Sequence, residues 1–263
     1  MEHLSLISYI LITVLAFAGE LIDSSMGMLY GTLLTPFLII LGFEAGVAVP
    51  AVLLSQAVGG LTASYFHHRF QNGDFSIKDK QLSKDFKIVL VVTSLGILAT
   101  IFSVFVAVSI PKIYVKLYIA TLVIMMGILV LRKITFNFSW KKLYGIGILS
   151  AFNKGLTGGG YGPVVTSGQT IIGNHYKSTV ATTTFAEGPI CIVGFLTYFI
   201  LKGFSDWQFL LALTLGAALA APIGALLTSK FNEAKVKPIL GWLTIISGTW
   251  MLIQTLLCIA SFG

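Results

Sequence analysis

Charge is what this sequence has least of. Only 10% of its 263 residues are Asp, Glu, Lys or Arg, against 56% hydrophobic ones, and the mean hydropathy is +0.92. A soluble domain carries about 25% charged residues, so a water-soluble globular fold is excluded and a polytopic membrane protein remains. No polar block is long enough to form a separate soluble domain. Cysteine is also scarce: Cys191 and Cys258 both lie in apolar stretches, nothing requires a disulfide, and two thiols cannot build a zinc site. His3, His67, His68 and His175 sit at the ends of apolar runs without metal-ligand spacing, so no metal and no cofactor is expected. A Gly-x-x-x-x-Gly-Lys-Ser/Thr loop is absent, which argues against direct use of ATP. Ser167-Gly168 lacks the Gly two residues before Ser that a nucleophile elbow needs, and no His lies at its depth, so an enzyme is not expected.

What charge there is has a pattern. The net charge is +7, and Lys and Arg fall almost entirely in short connections between apolar stretches, as the positive-inside rule expects. No basic-aromatic surface module accompanies them, so nucleic acid is not a partner; the lipid bilayer is. A homo-oligomer is left open. Glu2 and His3 stand where a signal peptide would carry basic residues, so the first apolar run is expected to be a span and not a cleaved leader.

The apolar runs predict five helical segments in each half, at about 6–21, 29–41, 46–66, 88–110 and 114–131, then 143–156, 160–172, 178–201, 207–229 and 239–260. The expected division is a first repeat over 1–131, a basic linker over 132–142 and a second repeat over 143–263. An odd number of segments per half makes the halves opposite in orientation. The basic connections 67–87, 132–142, 174–177 and 230–237 come out cytoplasmic. Their counterparts near 43–45 and 109–116, and both chain ends, come out outside. The expected fold is therefore an all-α polytopic membrane protein of two inverted-topology repeats. The first two segments of each half are short, about 20 Å as helices against a hydrocarbon core of about 30 Å. They are either tilted spans or re-entrant hairpins.

The halves share a stretch. Asn153 to Gly168 reads Asn-Lys-Gly-Leu-Thr-Gly-Gly-Gly-Tyr-Gly-Pro-Val-Val-Thr-Ser-Gly, and the segment from Asp23 overlays the one from Lys154 without a gap. Gly27 falls on Gly158, Tyr30 on Tyr161, Gly31 on Gly162, Thr35 on Thr166, Gly42 on Gly173 and Gln56 on Glu187. Paired, glycine-interrupted short segments in corresponding places of two halves point to a transporter's binding site. Glycine keeps side chains out of the way of backbone N–H groups, and a helix starting after such a turn aims its unpaired donors into the gap. The other reading is close helix packing through small residues. The turn supplies the candidate substrate-binding residues Lys154, Thr157, Gly158, Gly159, Gly160 and Tyr161, with Gly27 and Tyr30 from the first copy.

An ionisable residue inside a span is a functional candidate. Glu187 has Thr183 one helical turn before it and Thr184 three residues before it, which puts hydroxyls and carboxyl on one face, and Thr183 joins the substrate set. Low-dielectric surroundings favour a neutral carboxyl, which suits a proton carrier, so Glu187 is the first proton-coupling candidate, followed by Asp23 and Glu20. Asp23 and Lys154 stand at the mouths of the two turns and either pair with each other or meet a ligand. Lys154 is the one cation near the repeat core, because Arg69 and Arg132 lie in connections.

The run Gly155-Leu-Thr-Gly-Gly-Gly-Tyr-Gly-Pro, with its worn copy Ser25-Met-Gly-Met-Leu-Tyr-Gly, resembles the glycine motif of the TauE/SafE sulfite exporter family. The resemblance extends over nearly the whole chain through length, repeat and topology. It implies a secondary transporter of the cell (inner) membrane that exports small sulfur-containing or organic anions such as sulfite, sulfonates or sulfoacetate. Proton coupling through Glu187 is the accompanying expectation. An anion channel and a non-transporting membrane scaffold are the alternatives, and the scaffold leaves Lys154 and Glu187 without a purpose.

Overall fold

The computed structural model describes residues 5–78, 81–107, 112–132 and 136–260. Ten helices follow one another: α1 Leu6–Met26, α2 Tyr30–Ile40, α3 Ala45–Arg69, α4 Lys84–Ala107, α5 Lys112–Leu131, α6 Trp140–Thr157, α7 Tyr161–Ile171, α8 Tyr176–Lys202, α9 Trp207–Lys230 and α10 Glu233–Ala260. Among the described residues, the one strand pairing is a two-stranded ribbon, β1 Ile77–Lys78 against β2 Gln81–Leu82, in the polar connection after α3. Pro111, in the expected outside connection 109–116, and the residues Glu2 and His3 lie outside the described residues.

Among the described residues, five helices are long and apolar enough to cross a membrane: Leu6–Met26, Gly46–Arg69, Lys84–Ala107, Tyr176–Lys202 and Trp207–Lys230. Their outer faces are apolar too. On α9, Leu211, Leu215, Leu219 and Ile223 recur every fourth residue and are exposed, while Leu213, Ala217 and Ala220 are buried. A helix apolar all round belongs in lipid, and its two faces are then told apart by side-chain size. Small residues mark the packed face: a Cβ at Gly224 would meet Ser24 Cβ at 2.6 Å, and one at Gly127 would meet Gly241 O at 2.9 Å.

α2 and α7 have 11 residues each, about 16 Å of helix, too short to cross about 30 Å of hydrocarbon. Each folds back along its predecessor. The Tyr30 ring returns to Gly19 of α1, where a Cβ would stand 3.3 Å away, and Gly168 of α7 returns to Ile146 of α6. The bends are matched in detail. Gly27 (φ 74°) and Gly158 (φ 72°) end α1 and α6, donating to Asp23 O and Lys154 O, and left-handed Leu29 and Gly160 precede α2 and α7. Gly42 and Gly173 then take positive φ before Glu44 and His175 cap α3 and α8 with nearly the same dihedrals.

Several boundaries shift by a few residues, the largest at α10, which begins at Glu233 and not near 239, inside the expected connection 230–237; one shift bears on the site. The first segment does not stop near Leu21 but continues through the polar stretch to Met26. Glu20, Asp23 and Ser24 are all but fully buried, and Ser24 Oγ donates to Glu20 Oε1 at 2.5 Å. Their polarity is turned inward and met by partners, so it does not break the helix.

Candidate functional site

Four of the predicted residues converge with Gln56 in one buried cluster where α1, α3, α6 and α8 meet. Lys154 Nζ lies 2.8 Å from Glu187 Oε1, and both side chains are at most 3% exposed. Lys154 also donates to Gln56 Oε1. Gln56 Nε2 donates to Glu187 Oε1 at 2.9 Å and to Asp23 Oδ2 at 3.3 Å. Asp23 Oδ1 accepts the Tyr30 backbone N–H at 3.0 Å, so this carboxylate occupies the start of α2, where the helix dipole favours negative charge. The expected alternative of a direct Asp23–Lys154 pair is replaced by a bridge: Gln56 takes the ammonium with its oxygen and Asp23 with its nitrogen. An amide does this because it carries an acceptor and two donors at one end. Glu20 is the fourth, at the edge of the cluster, its carboxyl 2.7 Å from where a Cβ on Gly59 would be, and its Oε2 has no hydrogen-bond partner among the described residues.

The glycine turns lie against each other. A Cβ on Gly31 would fall on the Gly158 carbonyl, and one on Gly162 would stand 2.6 Å from Gly27 O. Gly159 faces Gly31 O at 2.8 Å and the Thr32 Cα at 2.9 Å in the same construction. Two hydroxyls tie the crossing: Thr166 Oγ1 donates to Gly27 O at 2.6 Å and Gly160 N donates to Thr32 Oγ1 at 3.0 Å. The picture of open N–H groups therefore needs correcting. Gly158 N is bonded to Lys154 O, Gly159 N to Thr157 Oγ1 at 3.3 Å, and Gly160 N to Thr32. In this arrangement the glycines let two backbones cross at contact distance, the packing use of small residues.

The remaining predicted residues separate. Thr157 is half-buried, and its hydroxyl also reaches Asn153 O at 3.2 Å. Tyr30 OH pairs with Ser55 Oγ at 2.8 Å. Tyr161 OH is buried and has no partner among the described residues, because Ala186 stands in α8 where Ser55 stands in α3. Thr183 turns away from Glu187 and accepts from Thr166 Oγ1 at 3.4 Å and Gln169 Nε2 at 3.3 Å. Sequence reasoning also missed Gln169, Asn174 and Thr182 as a buried polar set, because each stands next to other polar or small residues that hide it.

Spanning helices around a buried ionic cluster, with broken helix pairs meeting at its edge, are the architecture of a multi-pass membrane transporter. The model of the family described as sulfite exporter TauE/SafE matches residues 11–251, and the chain belongs to that family. It is 29% identical over 261 residues to the protein named "Probable membrane transporter protein YtnM" of Bacillus subtilis (strain 168), covering 92% of this chain and 82% of that one. No solved structure matches.

Proposed function

We propose that the protein carries small sulfur-containing or organic anions, such as sulfite, sulfonates or sulfoacetate, across the cell membrane together with a proton. Net movement follows the summed gradients of anion and proton, and export is the direction that the family's description carries. The observation behind this reading is the Lys154 ammonium, fully buried between Glu187 and Gln56. It is the cation of a cluster that also holds the carboxyls of Glu20, Asp23 and Glu187. With every group ionised the cluster carries more negative than positive charge in a medium where isolated charges are costly. An anion reaching Lys154 must displace the Glu187 carboxylate, and protonating that carboxylate releases the ammonium. Anion and proton then bind together. In this reading Tyr161 OH, buried without a partner, donates to the bound anion, and Thr157 and the crossed turns of Gly27 and Gly158–Gly160 frame it.

The same reading makes residues 1–131 and 143–263 inverted repeats about an axis in the membrane plane, joined by the basic linker 132–142. Its support is the matched bends of α1–α2 and α6–α7 and the reciprocal contacts Gly31–Gly158 and Gly162–Gly27. The two hairpins then enter from opposite faces, and the site lies where their tips cross, as in other carriers built from broken helices.

The test is calorimetric binding of sulfoacetate to the detergent-purified protein across pH. If one proton enters with each anion, affinity rises about tenfold for each unit of falling pH in the range where Glu187 titrates, by reciprocal linkage. Affinity that does not change with pH removes the proton from the mechanism. Absence of binding by sulfoacetate, sulfonates and sulfite alike removes the substrate class.

A further inference from the structure

Beyond the cluster, buried polar side chains form a continuous file on one side of the crossed turns. Thr166 Oγ1, bonded to Gly27 O, also reaches Thr183 Oγ1 at 3.4 Å. Thr183 accepts from Gln169 Nε2 at 3.3 Å, and Gln169 Oε1 accepts from Thr182 Oγ1 at 3.1 Å and from Asn174 Nδ2 at 3.0 Å. Asn174 Oδ1 accepts from Lys84 Nζ at 3.1 Å. Lys84 stands at the end of the basic connection, with Asp85 beside it accepting from Ser178 Oγ at 2.5 Å. Thr166, Gln169, Thr182 and Thr183 are wholly buried and Asn174 is 4% exposed. Thr179, one turn before Thr183 and also wholly buried, has a hydroxyl with no partner among the described residues.

The matching positions of the first half are apolar. At the constant spacing of 131 residues that separates Gln56 from Glu187, Gln169, Asn174, Thr179, Thr182 and Thr183 correspond to Leu38, Phe43, Ala48, Ala51 and Val52. All five of these belong to one apolar cluster, and Phe43 stacks on Phe209 at 4.4 Å between ring centroids. Helix packing alone does not require this asymmetry. A polar group buried at a helix interface costs free energy unless it is paired, and the first half shows that the same positions pack with hydrocarbon.

We propose that the file from Lys84 through Asn174, Gln169 and Thr183 to Thr166 lines the route by which a small oxyanion passes between the basic face and the crossed turns. The matching positions in the first half are a dry gate, closed by Leu38, Val52 and the Phe43–Phe209 stack. The route deepens the carrier reading above and rests on it. Its lining suits the cargo: amide N–H and hydroxyl groups replace the hydration shell of an oxyanion without holding it as a fixed charge would. Lys84, the one charged member of the file, is at the entrance, where it raises the local anion concentration.

The test uses single cysteines in a Cys191→Ala, Cys258→Ala background, probed with a membrane-impermeant thiol reagent applied to either face of sealed vesicles. Gln169→Cys and Thr183→Cys are expected to react from the face bearing the 67–87 connection, and sulfoacetate to slow that reaction severalfold. Leu38→Cys and Val52→Cys are expected to react at least tenfold more slowly from either face. Comparable reaction at Leu38 and Gln169, or reaction of Gln169→Cys from the opposite face alone, overturns the route. Gln169→Leu with Asn174→Phe, which gives the second half the first half's residues, should cut sulfoacetate flux at least tenfold. Equilibrium binding in detergent should keep its pH dependence. Wild-type flux in that variant overturns the route while leaving the carrier reading untouched, whereas binding without pH dependence in the unmodified protein overturns the carrier reading and the route with it.

Discussion

Gln56 and Glu187 hydrogen-bond to each other at 2.9 Å and share one ammonium, Lys154. Each lies at the same step of its helix, counted from the caps Glu44 and His175. An amide stands in α3 where a carboxyl stands in α8, and the pair closes over the point where the two halves meet. With two carboxyls there, one ammonium could not balance both. With two amides, nothing at that point could exchange a proton.

The crossing of the glycine turns sets the first prediction. A methyl at Gly31 falls on the Gly158 carbonyl and next to Lys154 Nζ at 2.9 Å. Gly31→Ala must therefore push the two turns apart, and overpacking of a fixed backbone contact costs about 1–3 kcal/mol or more. At Gly46 a Cβ meets nothing within 4 Å. Thermal melting in detergent should show Gly31→Ala and Gly159→Ala several degrees below the parent and Gly46→Ala unchanged. Unaltered melting in Gly159→Ala would mean that the turns do not rest on each other.

The second prediction concerns orientation. If the halves are inverted, reporter fusions after Gly73 and after Lys235 report the cytoplasm and one after Asp206 reports the outside. A cytoplasmic signal after Asp206 breaks the correspondence of the two turns and with it the pairing of Gln56 with Glu187.

Much of this was legible in the sequence, for a physical reason. The apolar runs predict the ten helices because lipid requires every backbone group to be paired within the segment. The glycine stretches marked both bends, where Gly27 and Gly158 adopt φ near +73° at a position closed to most side chains. Lys154, Glu187 and Asp23 stood out because ionised groups are rare in spans. The partners of those groups were not legible. That Lys154 meets Glu187 and reaches Asp23 through Gln56 depends on how α3 and α8 are rotated, which no local pattern encodes. The end of α1 was misplaced for a related reason: Glu20 to Ser25 looks like a helix end until their burial shows that they face protein. Gln169 and Asn174 passed unnoticed because Gln169 sits among hydroxyls and glycine in a short helix and Asn174 opens a polar connection, so neither stands out from its neighbours.

The third prediction separates charge from packing. Lys154→Met leaves the carboxyls of Glu187 and Asp23 buried without a cation, and removing one partner of a buried pair typically costs about 3–5 kcal/mol. Adding Glu187→Gln removes the stranded carboxylate that stood in direct contact with the ammonium, so the double variant should melt above the Lys154→Met single variant. A double variant that melts at the sum of the two single losses would show that Lys154 and Glu187 do not interact energetically. Sulfoacetate binding should be lost in both, because neither retains the ammonium.

The last prediction moves the carboxyl. Glu187→Gln keeps the shape of the side chain and its contact with Lys154 but cannot take up a proton, so anion binding should persist and lose its pH dependence. Exchange of anion for anion should survive in proteoliposomes, while flux driven by a pH gradient falls to background. Gln56 touches the same ammonium and the same partner, so Gln56→Glu combined with Glu187→Gln places a carboxyl back on Lys154 from the opposite helix. Coulombic attraction depends on the distance between the charges and not on which helix supplies them. The swapped protein should regain binding that tightens as pH falls, because the anion-bound state again holds one proton more than the free state. Gln56→Glu alone sets two carboxyls on one ammonium and should bind the anion more weakly than the parent at alkaline pH. Were the swapped protein to bind the anion with no dependence on pH, the proton would have to travel by a route specific to α8. Contact with Lys154 would then not be what couples it to the anion.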